Sequence, residues 1–370
     1  MLSLRVLRGA RLAAFGRWAL VAAASAGTGL LLLSALGWAL DHPQHGASDA
    51  LARLGWCAVP VAVTVQLAVM VARAQPGGWP RSGLAAVGLG RIGLVLLSAA
   101  TAAAVCAAGS AVALLVFLQL RGDVTGVPFD GVGPELLAAG RPLPLAGAIT
   151  LLALVPVASA AVRTAALRPE RAPSAEAPGG LPWGVALTAV GLAVEVTAPG
   201  GHDVPLPSGL GTIPPVAVGG WIVTTVGMML AAPGLMHACG RVLAAFRPGA
   251  LRLLSGRALQ QEARRLGRPL GLLCATAAAG LAAYGPLRDS DHPVGPVSQF
   301  AAVLVAACVV ATTALAVAES RRTRTPATGT LREMGASRVM VRSAAALRVG
   351  VLVAVLLPAT VAVAALSRLG

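Results

Sequence analysis

The sequence contains no lysine, and all 29 of its strongly basic residues are arginines. A phosphate-binding loop of the GxxxxGK type needs its lysine to reach the phosphates of a nucleotide. This chain therefore cannot carry an ATPase site of that class. The alanine-rich composition, with arginine used in place of lysine, is typical of a GC-rich bacterial genome.

Cysteine is scarce as well, and its spacing includes no CxxC motif. All five cysteines lie in or beside apolar runs, where a free cysteine behaves as a small hydrophobic residue. We therefore expect neither disulfides nor metal ligands among them. The five residues are Cys57, Cys106, Cys239, Cys274 and Cys308.

Neither a nucleophile paired with a base nor a pair of carboxylates is evident, so we expect no enzymatic activity, no cofactor and no metal. The best candidate for a metal cluster is the DHPQH stretch at Asp41–His45, which would need further ligands such as His202, Asp203 or His292. We expect this stretch to be a solvated loop.

The chain is 56% hydrophobic, only 12% charged, and has a mean hydropathy of +0.79. Several apolar runs are long enough to cross about 30 Å of hydrocarbon, which excludes a soluble protein and predicts an all-α, polytopic bundle. The centre of the third run, SAATAAAVCAAGSA, is nearly all small residues and should let neighbouring helices approach closely. The predicted spans, about nine, are 18–40, 54–72, 92–118, 143–165, 182–198, 216–238, 270–287, 297–318 and 349–366.

The net charge of +15 suggests nucleic acid at first sight. In a membrane protein, however, arginines mark the cytoplasmic side of the bilayer. With the N-terminus in the cytoplasm, 24 of the 29 arginines fall in predicted inner segments. This asymmetry supports the orientation and the number of crossings together, and it predicts a multi-pass protein of the cell membrane that binds no nucleic acid.

A flexible connector rich in Pro, Ala and Gly, at 167–181, is the best boundary between halves. We divide the chain into a first transmembrane repeat (1–166), a linker with spans five and six (167–239), and a second repeat (240–370). The two repeats share a plan of basic entry, span, short outer loop, span, basic surface segment and span.

Two strongly basic inner segments are predicted to form amphipathic helices at the membrane surface. The first is 240–269, with leucines alternating among seven arginines. The second is Leu331–Arg342, within an arginine-rich stretch between the last two spans. Its Gly335–Ser337 tripeptide should let the chain bend before it turns toward the membrane at Val339.

The LREMGASRVMVR segment resembles the cytoplasmic segment of FtsX/MacB-type ABC transporter permeases, which typically reads like LRxLGASRxxV followed by basic residues. A stretch in the first repeat weakly resembles the same pattern. The matching residues are Leu331, Arg332, Met334, Gly335, Ala336, Ser337, Arg338, Val341 and Arg342, and their first-repeat counterparts are Leu84, Gly88, Gly90 and Arg91.

This resemblance implies the permease subunit of an ABC transporter. A separate ATPase subunit would bind the ATP and would also bind the segment Leu331–Arg342. The resemblance also implies dimerisation, or pairing of two halves in one chain, and ATP-driven export or signalling at the outer face. A non-transporting membrane scaffold or regulator, a degenerate permease, is the alternative. The chain departs from the family pattern in three ways: the outer loops are short, the predicted spans number nine instead of ten, and Arg348 stands where a carboxylate often follows the motif. The number of spans and Arg348 favour the alternative.

Glu195 is the one carboxylate inside a predicted span. An acid within the membrane is a functional candidate, because it is costly to keep there. Pro199 and Gly200 follow closely, so a position in water at the outer interface is the other interpretation. A secondary transporter would need more polar residues at mid-membrane than these spans offer, and we rank it last.

Overall fold

The computed structural model describes residues 2–41, 44, 47–73, 91–122, 143–165, 179–197, 204–205, 212–213, 215–245, 249–289, 295–335 and 337–368. Within these residues almost all of the structure is helical. A two-residue β-ladder pairs β1 (Val204–Pro205) with β2 (Thr212–Ile213). The helices are α1 (Leu2–Asp41), α2 (Ala47–Arg73), α3 (Arg91–Arg121), α4 (Leu145–Ala165), α5 (Leu181–Thr197), α6 (Pro215–Ala245), α7 (Ala250–Asp289), α8 (Pro296–Glu333) and α9 (Arg338–Leu366).

Eight of these helices are long and apolar enough to cross a bilayer. The prediction of an all-α, multi-pass membrane protein is confirmed, and each predicted span overlaps one helix. The exception in length is α5, an apolar helix of 17 residues. At 1.5 Å per residue it extends about 26 Å, somewhat less than the hydrocarbon thickness.

The chain forms two compact units. Their first boundary falls within the proline-rich connector, and another falls inside α8. The predicted ranges 1–166, 167–239 and 240–370 stay a prediction; in these units α5 and α6 group with α7. Unit 1 consists of Met1–Pro173, Pro205–Gly209 and Val294–Thr312, and unit 2 consists of Ser174–Val204, Leu210–Pro293 and Thr313–Gly370.

The small residues of α3 allow α1 to approach closely in unit 1, as the sequence predicts. Ser25 on α1 donates a hydrogen bond to the carbonyl of Cys106 at 2.8 Å. A Cβ atom on Gly109 would lie 2.3 Å from the carbonyl oxygen of Ala22, so glycine is required at this contact. The buried core of the unit lies nearby, between α1, α3 and α4, and consists of Leu33, Ala113, Phe117, Ala148 and Leu152.

Unit 2 is organised around a glycine seam between α5 and α6. Glycines seven residues apart recur on one face of each helix, which is the spacing that keeps them on a common side. A Cβ atom on Gly184 would lie 2.3 Å from the nitrogen of Ala231, and one on Gly191 would lie 2.5 Å from the nitrogen of Thr224. The two backbones are therefore in direct contact, as is common between membrane helices.

Helix α7 packs against α6 and contains both most of the basic segment 240–269 and span seven. Its basic half has a buried face, with Leu259, Ala263 and Leu266, and an opposite face of exposed arginines. The helix has 40 residues without a break, which at 1.5 Å per residue is about 60 Å. The predicted separate surface helix at 240–269 is therefore not confirmed: the amphipathic segment is continuous with the span. The exposed arginines are Arg252, Arg257, Arg264, Arg265 and Arg268.

Candidate functional site

The segment that resembles the permease motif forms a turn between two long helices. Helix α8 ends at Glu333, and Gly335 follows with φ of +92°, a conformation that favours glycine. Ser337 then caps α9: its side chain accepts a hydrogen bond from the backbone nitrogen of Met340 at 3.2 Å. The predicted bend at Gly335 is confirmed. The predicted short helix over Leu331–Arg342 is wrong, because this segment is divided between the end of α8, the turn and the start of α9.

The turn presents apolar and positively charged side chains to its surroundings. Met334 and Val339 are each 75% exposed, and Arg338 and Arg342 are exposed beside them. A Cβ atom on Gly335 would meet nothing within 4 Å, so the surface around the bend is open. Exposed apolar groups rimmed by charge are typical of a protein-binding surface.

Some residues of the predicted segment lie outside what the structure describes. They are Ala336 and the side chains of Leu331 and Arg332. Val341 is half-buried at the start of α9. Of the first-repeat counterparts, Leu84, Gly88 and Gly90 lie outside the described residues, and Arg91 is the first residue of α3.

An ion cluster in unit 2 joins the two helices that flank the turn to α7. Glu262, on the buried face of α7, pairs with Arg324 near the end of α8 and lies 3.8 Å from Arg348 of α9. The side chains of Glu262 and Arg348 are only 12% and 13% exposed. Arg324 also donates to Ser320 at 3.3 Å.

Backbone contacts support the same arrangement. The hydroxyl of Ser255 on α7 shares its proton between the carbonyl of Leu251 at 2.7 Å and that of Ala344 on α9 at 3.2 Å. Arg348 donates to the carbonyl of Ala344 at 3.0 Å. One carboxylate therefore holds two arginines from either side of the turn. Since a charge buried without its partner is costly, displacement of α8 or α9 relative to α7 is opposed at this point.

Sequence reasoning missed this cluster. Three positions far apart in the chain form it, and only the packing of three helices brings them together. One signal was present: Glu262 follows Leu259 and precedes Leu266 at helical spacing, which puts a carboxylate on the apolar face of a basic amphipathic segment. A charge on that face needs a partner from another helix.

Glu195 lies at the contact between α5 and α6 and is 6% exposed. Thr224 of α6 donates to its Oε1 atom at 2.9 Å. Its Oε2 atom is buried and has no hydrogen-bond partner among the described residues. Of the two interpretations of Glu195, the structure therefore favours the buried acid over a carboxylate in water.

No group of three or more His, Cys, Asp or Glu side chains in the described part of the chain is arranged to hold a metal ion. The histidines of the DHPQH stretch, together with His202, Asp203 and His292, lie outside the described residues. The five cysteines are all free, and Cys106 and Cys308 are buried.

The helices define the class of the protein as a multi-pass, helical membrane protein. Comparisons of the chain with protein-family models, with curated proteins and with solved structures find no match. The resemblance to FtsX/MacB-type permeases therefore stays a prediction from the sequence.

Proposed function

We propose that this chain is the membrane subunit of an ABC transporter, coupled through the turn between α8 and α9 to a separate ATPase subunit that binds the ATP. The observation that carries the proposal is the turn itself: a glycine bend between two bilayer-length helices, with Met334, Val339 and two arginines exposed. Its residues are those that resemble the permease motif.

The proposal requires the turn to lie in the cytoplasm, and the arginine distribution supports this. If α5 did not cross the bilayer, the two most arginine-rich segments, 240–269 and 319–348, would face outward, against the usual preference of arginine. A bilayer can thin locally to accommodate a short span. We therefore infer nine crossings in a cell membrane, with a cytoplasmic N-terminus.

The ion cluster supplies the mechanical step. Closure of an ATPase dimer would move the turn, and the pairs from Glu262 to Arg324 and Arg348 would carry that movement to α7. The spans would then tilt together and shift their outer ends. The work would be delivered at the outer face, for export or for signalling. Two copies of the chain, or two halves of one, would face the two ATPases.

A membrane scaffold or regulator is the second candidate. It is favoured by Arg348, a cation that is tied to Glu262 where permeases of this type often have a carboxylate. In this function the turn would be a structural remnant, and no ATPase would bind it. The two functions differ in one observable: a stable complex with an ATP-hydrolysing subunit.

Affinity purification of the tagged full-length chain from its own cells, in mild detergent with and without ATP, separates the two. The permease function predicts that a protein with a GxxxxGK loop copurifies, hydrolyses ATP, and is lost when residues 331–342 are scrambled. The matched control is the double variant Arg321→Gln/Arg322→Gln, which removes two exposed arginines from α8 and leaves the turn intact. Absence of any ATPase from the unmodified chain would contradict the permease function and favour the scaffold.

A further inference from the structure

The buried carboxylate of Glu195 faces a cavity in unit 2. The cavity has a volume of about 30 Å³, enough for one water molecule or one ammonium group. Helices α5, α6, α7 and α9 line it, and α7 contributes only alanines. Among the described residues that line it, Glu195 is the one carboxylate.

The hydrogen-bonding groups around this cavity are short of donors for the free carboxylate oxygen. The hydroxyl of Thr224 donates its proton to Oε1 of Glu195, and the hydroxyl of Thr225 donates its proton to the carbonyl of Trp221 at 2.9 Å. Arg368, next to the lining residue Ser367, donates to the carbonyl of Leu281. Oε2 of Glu195 has no hydrogen-bond partner among the residues that the structure describes. A buried carboxylate is stabilised by a hydrogen-bond donor and by a positive charge. The described lining residues offer neither to Oε2.

An apolar groove of about 260 Å³ adjoins the cavity, and Met228 and Val363 line both. Its wall on α5 extends from Val185 to Leu192. From Val185, the far end of this wall, Glu195 lies ten residues along the helix, or about 15 Å away. The one hydroxyl among its lining residues, that of Thr188, donates to the carbonyl of Gly184 at 2.8 Å. Val185 is 52% exposed, so the groove opens to the surroundings of the helix.

We infer that Glu195 and this groove form a binding site for a lipophilic primary amine, with the ammonium group in the cavity and the alkyl chain in the groove. The ammonium group supplies the donor and the positive charge that Oε2 lacks, and the hydroxyl oxygens of Thr225 and Ser367 can accept its other hydrogens. A bare metal cation is disfavoured, because it needs several oxygen ligands and the cavity offers one carboxylate. The inference does not rest on coupling to an ATPase, because the site lies in the chain alone.

The test uses the purified full-length chain in non-ionic detergent and measures its midpoint of thermal unfolding with each of three amphiphiles, because a ligand that binds the folded chain raises this midpoint. We expect dodecylamine to raise the midpoint. Dodecanol, with the same chain and no charge, should not raise it. Dodecyltrimethylammonium should raise it only weakly, because its head is too large for the cavity and has no N–H donor.

Direct binding of radiolabelled dodecylamine, measured as the fraction displaced by excess unlabelled amine, completes the test. Glu195→Gln should weaken this binding by about tenfold, the effect of one charge-assisted hydrogen bond. Asp41→Asn, which removes an exposed carboxylate from the other unit, should leave the binding unchanged.

A pair of variants on α7 keeps the inference falsifiable if Glu195→Gln fails to fold. Ala278→Leu fills the cavity and keeps the carboxylate, and Gly280→Leu adds the same side chain where a Cβ meets nothing within 4 Å. Binding should be lost in Ala278→Leu and kept in Gly280→Leu. Equal shifts of the unfolding midpoint with dodecanol and dodecylamine, or unchanged binding in both Glu195→Gln and Ala278→Leu, would overturn the inference.

Discussion

The carboxylate of Glu262 on α7 lies 3.8 Å from the guanidinium of Arg348 on α9. The same carboxylate pairs with Arg324 on α8, so one acid connects the two helices that flank the turn. If the turn moves, these ion pairs would therefore pull directly on α7. The pairing also explains how an arginine is tolerated at the start of the last span: the opposite charge comes from another helix.

Glu262→Gln should destabilise the protein, because it leaves two partly buried arginines without their counter-charge. Loss of one partner of a buried pair costs about 3–5 kcal/mol, and the partial exposure of Arg324 reduces the expected loss to about 2 kcal/mol. The measurement is the midpoint of unfolding in detergent. Arg321→Gln, an exposed arginine of α8, is the control and should shift the midpoint little. Equal midpoints for both variants would show that the cluster contributes nothing.

Gly335→Ala and Gly329→Ala should have opposite effects on stability. Gly335 has φ of +92°, so a side chain there costs about 1–2 kcal/mol. Gly329 lies inside α8 with open space around it, where alanine should stabilise by about 0.5–1 kcal/mol. Chemical denaturation of both variants gives the two signs. Stabilisation by Gly335→Ala would mean that the bend is not where we describe it.

Ser337→Ala should lower stability by about 1 kcal/mol, because it removes the cap of α9. Ser343→Ala is the matched control one turn into the same helix, where the hydroxyl only donates back to the carbonyl of Met340. That substitution should be neutral or slightly stabilising. Hydrogen exchange at the first turn of α9 should also rise in Ser337→Ala alone. The same exchange rates in both variants would argue against the cap.

Gly191→Ala should separate α5 from α6. The added Cβ would lie 2.4 Å from the hydroxyl oxygen of Thr224 and 2.7 Å from the carbonyl oxygen of Gly220. Because both contacts involve the helix seam, we expect a loss of about 1–3 kcal/mol and of the hydrogen bond to Glu195. Gly219→Ala, where a Cβ meets nothing within 4 Å, should be tolerated. Melting curves of the two variants compare them directly, and equal loss in both would contradict the seam.

The sequence was sufficient for the features that depend on local chemistry. Apolar runs of bilayer length predicted the helices, and the Gly-Ala-Ser tripeptide predicted the bend because only glycine adopts its backbone conformation freely. The small residues of α3 predicted that neighbouring helices approach it closely, as α1 does. Each of these follows from a side chain's size or backbone preference and needs no knowledge of the neighbours.

Features that depend on neighbours could not be read in this way. The burial of Glu195 depends on the seam that brings α6 against α5, whereas Pro199 nearby suggested an exposed helix end. The Glu262 cluster depends on three helices. A separate surface helix was predicted for the basic half of α7, yet the helix continues into the span across Pro269, which has no N–H and so removes one backbone hydrogen bond at the junction.

The contact between an ATPase and the turn joining α8 to α9 can be tested by photo-crosslinking in native membranes. The unnatural amino acid is placed at Met334, which is 75% exposed. Leu357, 59% exposed in the middle of α9, is the control position. We expect a crosslink from Met334, and none from Leu357, to a subunit that carries a GxxxxGK loop. Crosslinks from both positions to lipid alone would contradict it.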